Sequence, residues 1–272
     1  MSELIYDPIA KIDRKLGTLV KPMKLSFQPF AATGLTVLSM DEIRKAADGK
    51  RRARHIFGID WIKDQKSHGS CNGFAGVSAF ERTRYRRGLE RIPLSGASLY
   101  SLINGGQDNG SMLEDGMNAL MRTGVLTEAE AGWQDIYKDS RGQLPTRARF
   151  KALECYQVDS EAELATGLVN DFDGVVAVHV TNAFYRLSGS GVAGGSTGPG
   201  NHAVCVDDVL YDTQIGGLKF DMPNSWNTTY GEGGRAYLTW RNNLQSCLRY
   251  HRFYLIRGAV DDPQGENPPA AV

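Results

Sequence analysis

The chain has 272 residues, 41% of them hydrophobic, which is enough to bury the core of one large domain or of two subdomains. Lys+Arg and Asp+Glu both count 31, so a formal net charge of zero offers no bulk attraction to nucleic acid or to an anionic membrane. No apolar run approaches the roughly 20 residues of a bilayer span, and MSELIYDPIAKIDRK at the start lacks the apolar core of a signal peptide, so the expected location is cytoplasmic or virus-associated.

Residues 1–38 have weak periodicity and scattered prolines (Pro8, Pro22, Pro29) and read as an extended arm wrapping the body. Ser39-Met40-Asp41-Glu42 is a capping box opening a short helix that ends at Gly49. The basic run Lys50-Arg51-Arg52-Ala53-Arg54 reads as a solvated linker or as a processing site. These segments give an arm and linker over 1–54, a body over 55–260 and a flexible tail over 261–272.

Phe57–Trp61 is an extended lead into Gln65-Lys66-Ser67-His68-Gly69-Ser70-Cys71. From Cys71 to Arg86 the run CNGFAGVSAFERTRYR suits a helix whose first half is apolar or small all round and therefore buried. Gly73 and Gly76 each cost about 1 kcal/mol there relative to Ala, which points to close approach of another chain segment. Arg82, Arg84, Arg86 and Arg87 read as its solvated end. Asn104–Gly110 is a loop, Ser111-Met112-Leu113-Glu114 a second capping box, and Gly124 the close of that helix. Residues 125–155 are loop-rich, and Ser160–Glu163 opens a third capped helix.

After Asp173 the character changes. Val175–Val180, Ala203–Tyr211, Leu218–Met222, Arg235–Trp240 and Arg252–Arg257 are β-branched or aromatic-rich strands. The Gly/Ser-rich stretch Ser188–Gly200 reads as a mobile surface loop. A helical half (about 55–155) followed by a strand half (about 156–260) argues α+β, with the strands closing as an antiparallel barrel or curled sheet.

Four cysteines at 71, 155, 205 and 247 lack CxxC or ligand-like spacing, so neither a disulfide framework nor a metal site is expected. Cys155, Cys205 and Cys247 read as core thiols. Cys71 differs: at a helix N-terminus, unsatisfied N–H groups and the positive end of the macrodipole favour a thiolate. Such a nucleophile needs an imidazole within reach and a third group to fix the ring. Asn201-His202-Ala203-Val204 puts a histidine where the glycine-rich loop enters a strand, and Asn224-Ser225-Trp226 puts an asparagine at a strand end. Trp226 would shield the His–Asn hydrogen bond from water. His55, His68, His179 and His251 read as ordinary polar residues, with His179 bordering the cleft.

These motifs, in this order, resemble the papain-like cysteine peptidases over about Phe57 to Arg257. Gln65 six residues before Cys71 is similar to that family's oxyanion-hole glutamine and nucleophile. Asn201–Val204 is similar to its histidine segment, and Asn224-Ser225-Trp226 with Tyr230-Gly231-Glu232 to its asparagine motif. Asn109-Gly110-Ser111 resembles the loop that pairs with substrate backbone. The resemblance implies a two-lobed fold, with a helical left lobe, a barrel-like right lobe and the active-site cleft between them. It implies peptide-bond hydrolysis by Cys71, His202 and Asn224 with Gln65 as oxyanion donor and no cofactor. Asn109, Gly110, Ser111, Asn201 and Trp226 would contact a peptide or protein substrate. Four departures stand out: Asn72 where an aromatic residue is common, His68 for a disulfide cysteine, and Ser111 and Asn227 for glycines. Residues 1–54 are also too short for the family's usual inhibitory segment and unlike it. A cysteine amidase acting on cell-wall peptides and a non-catalytic binding protein, tied to a protein partner by its arm, are the alternatives.

Overall fold

The computed structural model describes residues 3–20, 27–50, 52–131 and 150–260. The tail from Asp261, Pro22, Arg51 and most of the loop-rich region after 125 lie outside the described residues. The first element is a hairpin of β1 (Glu3–Asp7) and β2 (Ile12–Leu16), antiparallel with Ile5 opposite Arg14. Within the expected extended arm, residues 3–16 thus form a hairpin. It tightens on Asp7, whose carboxylate accepts from the N–H groups of Ile9 and Ala10.

Helix α1 (Met40–Gly49) starts at the expected capping box: Ser39 accepts from the Glu42 N–H while Glu42 accepts from that of Ser39. Before it, the two-residue strand β3 (Gln28–Pro29) pairs in parallel with β4 (Lys151–Val158), and Phe30 is buried in the main core. The basic run is not a free linker. Helix α2 (Ala53–Ile56) begins within it, Arg54 pairs with Asp221 and Glu232, and Lys50 pairs with Asp171.

The central element is α3 (Cys71–Arg86), buried from Cys71 through Arg84. Its glycines serve as expected. A Cβ on Gly73 would overlap the Gly96 carbonyl of α4 (Gly96–Ile103), and one on Gly76 would meet Leu99 and Met117. Arg82, Arg84 and Arg86 overturn the solvated-end expectation, while Arg87 is exposed as expected. Arg82 pairs with Asp207 at 2.8 Å with neither side chain exposed, and Arg86 reaches Asp171 and Asp173. Helical periodicity cannot report this, because the partners lie more than 80 residues away along the chain.

Helix α5 (Leu113–Arg122) follows, then α6 (Glu128–Ala131) and α7 (Glu161–Val169). Ser160 caps α7, but Ser111 does not cap α5: its N-cap is Met112, and Ser111 instead makes a bridge with Thr18. The main sheet has the order β3-β4-β10-β5-β6, with β5 Asp173–Val178, β6 His202–Val206 and β10 Phe253–Val260. A second sheet holds β7 (Asp208–Asp212), β8 (Gly217–Pro223) and β9 (Arg235–Leu238). The expected strand Ala203–Tyr211 is therefore two strands in two sheets, divided at Asp207. There the buried carboxylate binds Arg82 and Arg235. Among the described residues the strand half is two open sheets, not a closed barrel. Residues 188–200 are pinned rather than loose. Ala193 donates to the Tyr237 carbonyl, and Tyr237 donates to that of Gly191. No described helix is long and apolar enough to cross a membrane.

Candidate active site

Helix α3 and strand β6 pack so that Cys71 and His202, distant in sequence, begin neighbouring elements. The N–H of Ala203, the residue after His202, hydrogen-bonds the Cys71 thiol, as do the N–H groups of Asn72 and Gly17. The His202 ring is fully buried, with Nε2 2.9 Å from Asn224 Oδ1. The Asn224 oxygen also accepts from the Ser225 N–H at 2.8 Å, a group that can only donate. Nε2 must therefore carry the proton, which leaves the Nδ1 lone pair as the basic position. Nδ1 is buried without a hydrogen-bond partner.

Trp226 lies over this pair, fully buried and stacked on His202 with ring centroids 4.6 Å apart. It is fixed in turn by Tyr185 at 5.3 Å and by edge contacts with Phe184 and Tyr230. The next residue, Asn227, takes φ of +59°, a left-handed conformation that asparagine tolerates, and so fills a position where glycine is otherwise favoured. Gln65 is bound to the same turn. Its N–H donates to the Ser225 carbonyl at 2.8 Å, its Oε1 accepts from Ser225 Oγ at 2.6 Å, and Nε2 donates to the His68 carbonyl at 2.8 Å. Because an amide nitrogen has two hydrogens, one donor of Gln65 remains for another acceptor.

The cleft is not open. Residues 16–20 of the arm cross it, and Cys71 is completely shielded. Thr18 Oγ1 sits 3.4 Å from Cys71 Sγ, and the Thr18 N–H donates to the Asn201 carbonyl at 3.1 Å. The Ser111 N–H donates to the Gly17 carbonyl at 2.7 Å, while the Leu19 N–H donates to the Ser111 carbonyl at 3.0 Å, a parallel bridge. Asn201 Nδ2 reaches Glu3 Oε2 at 2.9 Å. Gly110, Ser111, Asn201 and Trp226 all meet the arm, the last through a bond from Arg14 to its carbonyl. Asn109 is exposed and bonds to Gln107.

This cover reverses the thiolate expectation for the closed arrangement. Burial pushes the Cys71 thiol up, against the hydrogen bonds from Thr18, Ala203, Gly17 and Asn72 that pull it down. Burial lowers His202 to about 4; Asn224 opposes this, and the nearby Arg14 charge adds to it. With both groups neutral, the helix N-terminus does not overcome desolvation.

Sequence reasoning gave no role to three residues here. Arg14 is buried with its charge in the cleft wall. Asp108 accepts from the Gly69 N–H and the Tyr100 hydroxyl, each at 2.9 Å. Against burial, hydrogen bonds from His68, Tyr100 and Gly69 hold its carboxyl down at about 2. Asn72 donates to Ser111 Oγ at 3.1 Å and to the Met112 carbonyl at 2.5 Å. Its departure from the family pattern was the only signal that it had a separate task. Cys155, Cys205 and Cys247 are buried free thiols. Among the described residues no group of His, Cys, Asp and Glu could hold a metal ion.

A model of the family described as "Papain family cysteine protease" matches residues 46–254. "Peptidase 1" of Psoroptes ovis is 21% identical over 194 residues, covering 70% of this chain and 60% of that protein. "Senescence-specific cysteine protease SAG39" of Oryza sativa subsp. indica is 27% identical over 191 residues, covering 65% and 55%. The chain therefore spans little more than half the length of these relatives. Among solved structures, the bromelain protease from Ananas comosus in complex with the E64 inhibitor superposes with a TM-score of 0.59. It is 20% identical and covers 72% of this chain and 92% of that one.

Proposed function

This chain belongs to the papain family of cysteine proteases, and on that premise we propose that it hydrolyses peptide bonds with Cys71, His202, Asn224 and Gln65. The observation that carries this reading is the state of the His202 ring, whose Nε2–H is committed to Asn224 and whose buried Nδ1 is unpartnered. In an open cleft, Nδ1 accepts the Cys71 proton and the sulfur attacks the scissile carbonyl carbon. The oxyanion takes the second N–H of Gln65 and the backbone N–H of Cys71. The imidazolium then protonates the leaving amine as the C–N bond breaks. Water, deprotonated by Nδ1, cleaves the thioester and releases the acid, returning the thiol.

The substrate class is a peptide held in extended form, since the Ser111 N–H and carbonyl and the Asn201 carbonyl all face the cleft and bind backbone there already. The test uses E64, the inhibitor present in the bromelain structure, on the full chain carrying Gly17→Val to displace the arm. Labelling confined to Cys71 and strongly reduced by His202→Ala is the expected result. Equal labelling of all four cysteines, with no peptide hydrolysis, would sink the reading.

A further inference from the structure

Two segments distant in sequence wall the nucleophile. Residues 65–71 carry Gln65 and Cys71, and residues 108–111 lead to Ser111, whose N–H and carbonyl face the cleft. They lie so close that a Cβ on Gly69 would stand 3.4 Å from the Gly110 nitrogen. No covalent bond joins them: all four cysteines are free, and His68 stands where the family pattern has a disulfide cysteine. We propose that Asp108 takes over that joint, as a positioning residue whose one carboxylate holds both segments in register for peptide hydrolysis. The proposal rests on the peptidase reading for what the positioned groups do.

The first support is where the bonds of the carboxylate go. Oδ1 accepts from the Gly69 N–H and from the Tyr100 hydroxyl, each at 2.9 Å, and Oδ2 lies 3.4 Å from His68 Nδ1. The Tyr100 hydroxyl in turn accepts from the Gly110 N–H at 2.9 Å. An ionised carboxylate offers about four acceptor sites, so one side chain can hold the first segment twice and the second through Tyr100. Burial raises the proton affinity of Asp108, but these bonds from His68, Tyr100 and Gly69 outweigh it and keep the group ionised. Hydrogen bonds to an ionised acceptor are roughly twice as strong as neutral ones.

The second support is what stands at the far end of each bond. The His68 carbonyl accepts from Gln65 Nε2 at 2.8 Å, and the His68 N–H donates to the Gln65 carbonyl at 3.3 Å. Holding the His68 ring and the Gly69 N–H therefore holds the turn that aims Gln65 and starts α3 at Cys71. On the other wall, Tyr100 is completely buried, and its backbone packs so closely on α3 that a Cβ on Gly73 would stand 3.0 Å from the Tyr100 nitrogen. The hydroxyl that reaches Asp108 and Gly110 is thus mounted on the helix of the nucleophile.

The third support is that the joint suits an open, reactive site. Lys15 of the arm also binds Asp108, through the carbonyl and at 3.4 Å through Oδ2. The other members, His68, Gly69, Tyr100 and Gly110, belong to the body, so displacing the arm leaves them joined. A disulfide three residues from a reactive thiolate is open to exchange with it, whereas a carboxylate held by hydrogen bonds is not.

The experiment compares Asp108→Ala, Asp108→Asn and the double variant His68→Cys/Asp108→Cys, each in the full chain carrying Gly17→Val. Peptide cleavage is normalised to the Cys71 that E64 titrates, which removes any misfolded or blocked fraction. Asp108→Ala should lower kcat/KM about 10²-fold, the usual cost of misplacing reacting groups by about 1 Å, with kcat falling and KM rising together. Asp108→Asn keeps an acceptor for Gly69 and Tyr100 and should lose less. In the double variant, oxidised glutathione takes the two new thiols to a disulfide and is itself reduced to two molecules of glutathione. The disulfide, verified by mass spectrometry, should restore kcat/KM close to the parent value, and dithiothreitol should cancel the recovery. A kcat/KM for Asp108→Ala equal to the parent's overturns the proposal, as does a double variant that forms no disulfide or recovers nothing from it. If the Gly17→Val parent hydrolyses no peptide, the peptidase reading fails, and amide hydrogen exchange then decides on the joint. Faster exchange at both Gly69 and Gly110 in Asp108→Ala upholds it, and unchanged exchange removes it.

Discussion

Arg14 and His202 share one wall of the cleft: the guanidinium bonded to the Trp226 carbonyl lowers the proton affinity of the imidazole stacked on that tryptophan. Burial does most of this, and the guanidinium adds to it because a positive charge disfavours a second one nearby. Arg14→Ala removes only this smaller contribution and leaves the burial in place, so the His202 pKa should rise modestly from about 4 and stay below its ordinary value of 6.5. Imidazole proton shifts followed by NMR against pH check this, and an unmoved titration would contradict it.

The same group gives the folded chain a signature in acid. With the folded pKa depressed to about 4, the unfolded chain binds more protons at His202 between that pH and about 6.5. Its contribution to unfolding free energy therefore falls as pH drops through that window. Asp173 works in the opposite sense: burial, only partly offset by Arg86, raises it to about 6, so its contribution is lost as pH rises from about 4 to about 6. Urea denaturation of His202→Ala and Asp173→Asn against wild type between pH 4 and 7 should separate the two slopes.

Gln65 binds Ser225 and His68 through its side-chain amide, and the oxyanion role proposed for its second N–H can be separated from that positioning. In the Gly17→Val chain, Gln65→Ala should lower kcat for a peptide substrate about 10²–10³-fold, the usual cost of one oxyanion donor. Ser225→Ala removes only the bond that orients Oε1 and should cost far less. Similar losses in both would assign Gln65 a positioning role alone.

Asn72 fixes the loop around Ser111 to the helix that begins at Cys71, through Ser111 Oγ and the Met112 carbonyl. Gly116 leaves room for it, since a Cβ there would crowd the Asn72 amide. Asn72→Ala leaves the Met112 carbonyl without this donor, a loss of about 1–3 kcal/mol for a buried group. Because Ser111 binds backbone, steady-state kinetics of the opened chain should show KM rising more than kcat falls.

Asp207 joins the two halves by binding Arg82 on α3 and Arg235 on β9. Asp207→Ala would leave two buried guanidinium groups without this carboxylate, Arg82 keeping only Ser78 and Arg235 only Asp221, and should destabilise the chain by about 3 kcal/mol or more. Chemical denaturation reads this directly. A change below about 1 kcal/mol, the scale of an exposed pair, would show that the network is solvated.

Much of the fold was legible because local chemistry carries it. Ser39 and Ser160 cap their helices through bonds within one turn, and the buried first half of α3 shows in its run of small and apolar residues. Ser111 mimics the same capping pattern, yet its backbone is taken up by Thr18 and its neighbours, a pairing across more than 90 residues that no local pattern encodes. The division at Asp207 was hidden for a similar reason. Both flanking segments look like strand, and only the partners of the carboxylate show where one sheet ends.

The sequence by itself determined the kind of chemistry at issue, because the functional groups of Cys71, His202, Asn224 and Gln65 and their order along the chain carry the pattern on which the proposed mechanism rests. Tertiary structure alone decided the state of that chemistry. Arg14 and Thr18 are unremarkable in a string of letters. Folded back over Cys71, they exclude water, and desolvation then keeps both thiol and imidazole neutral.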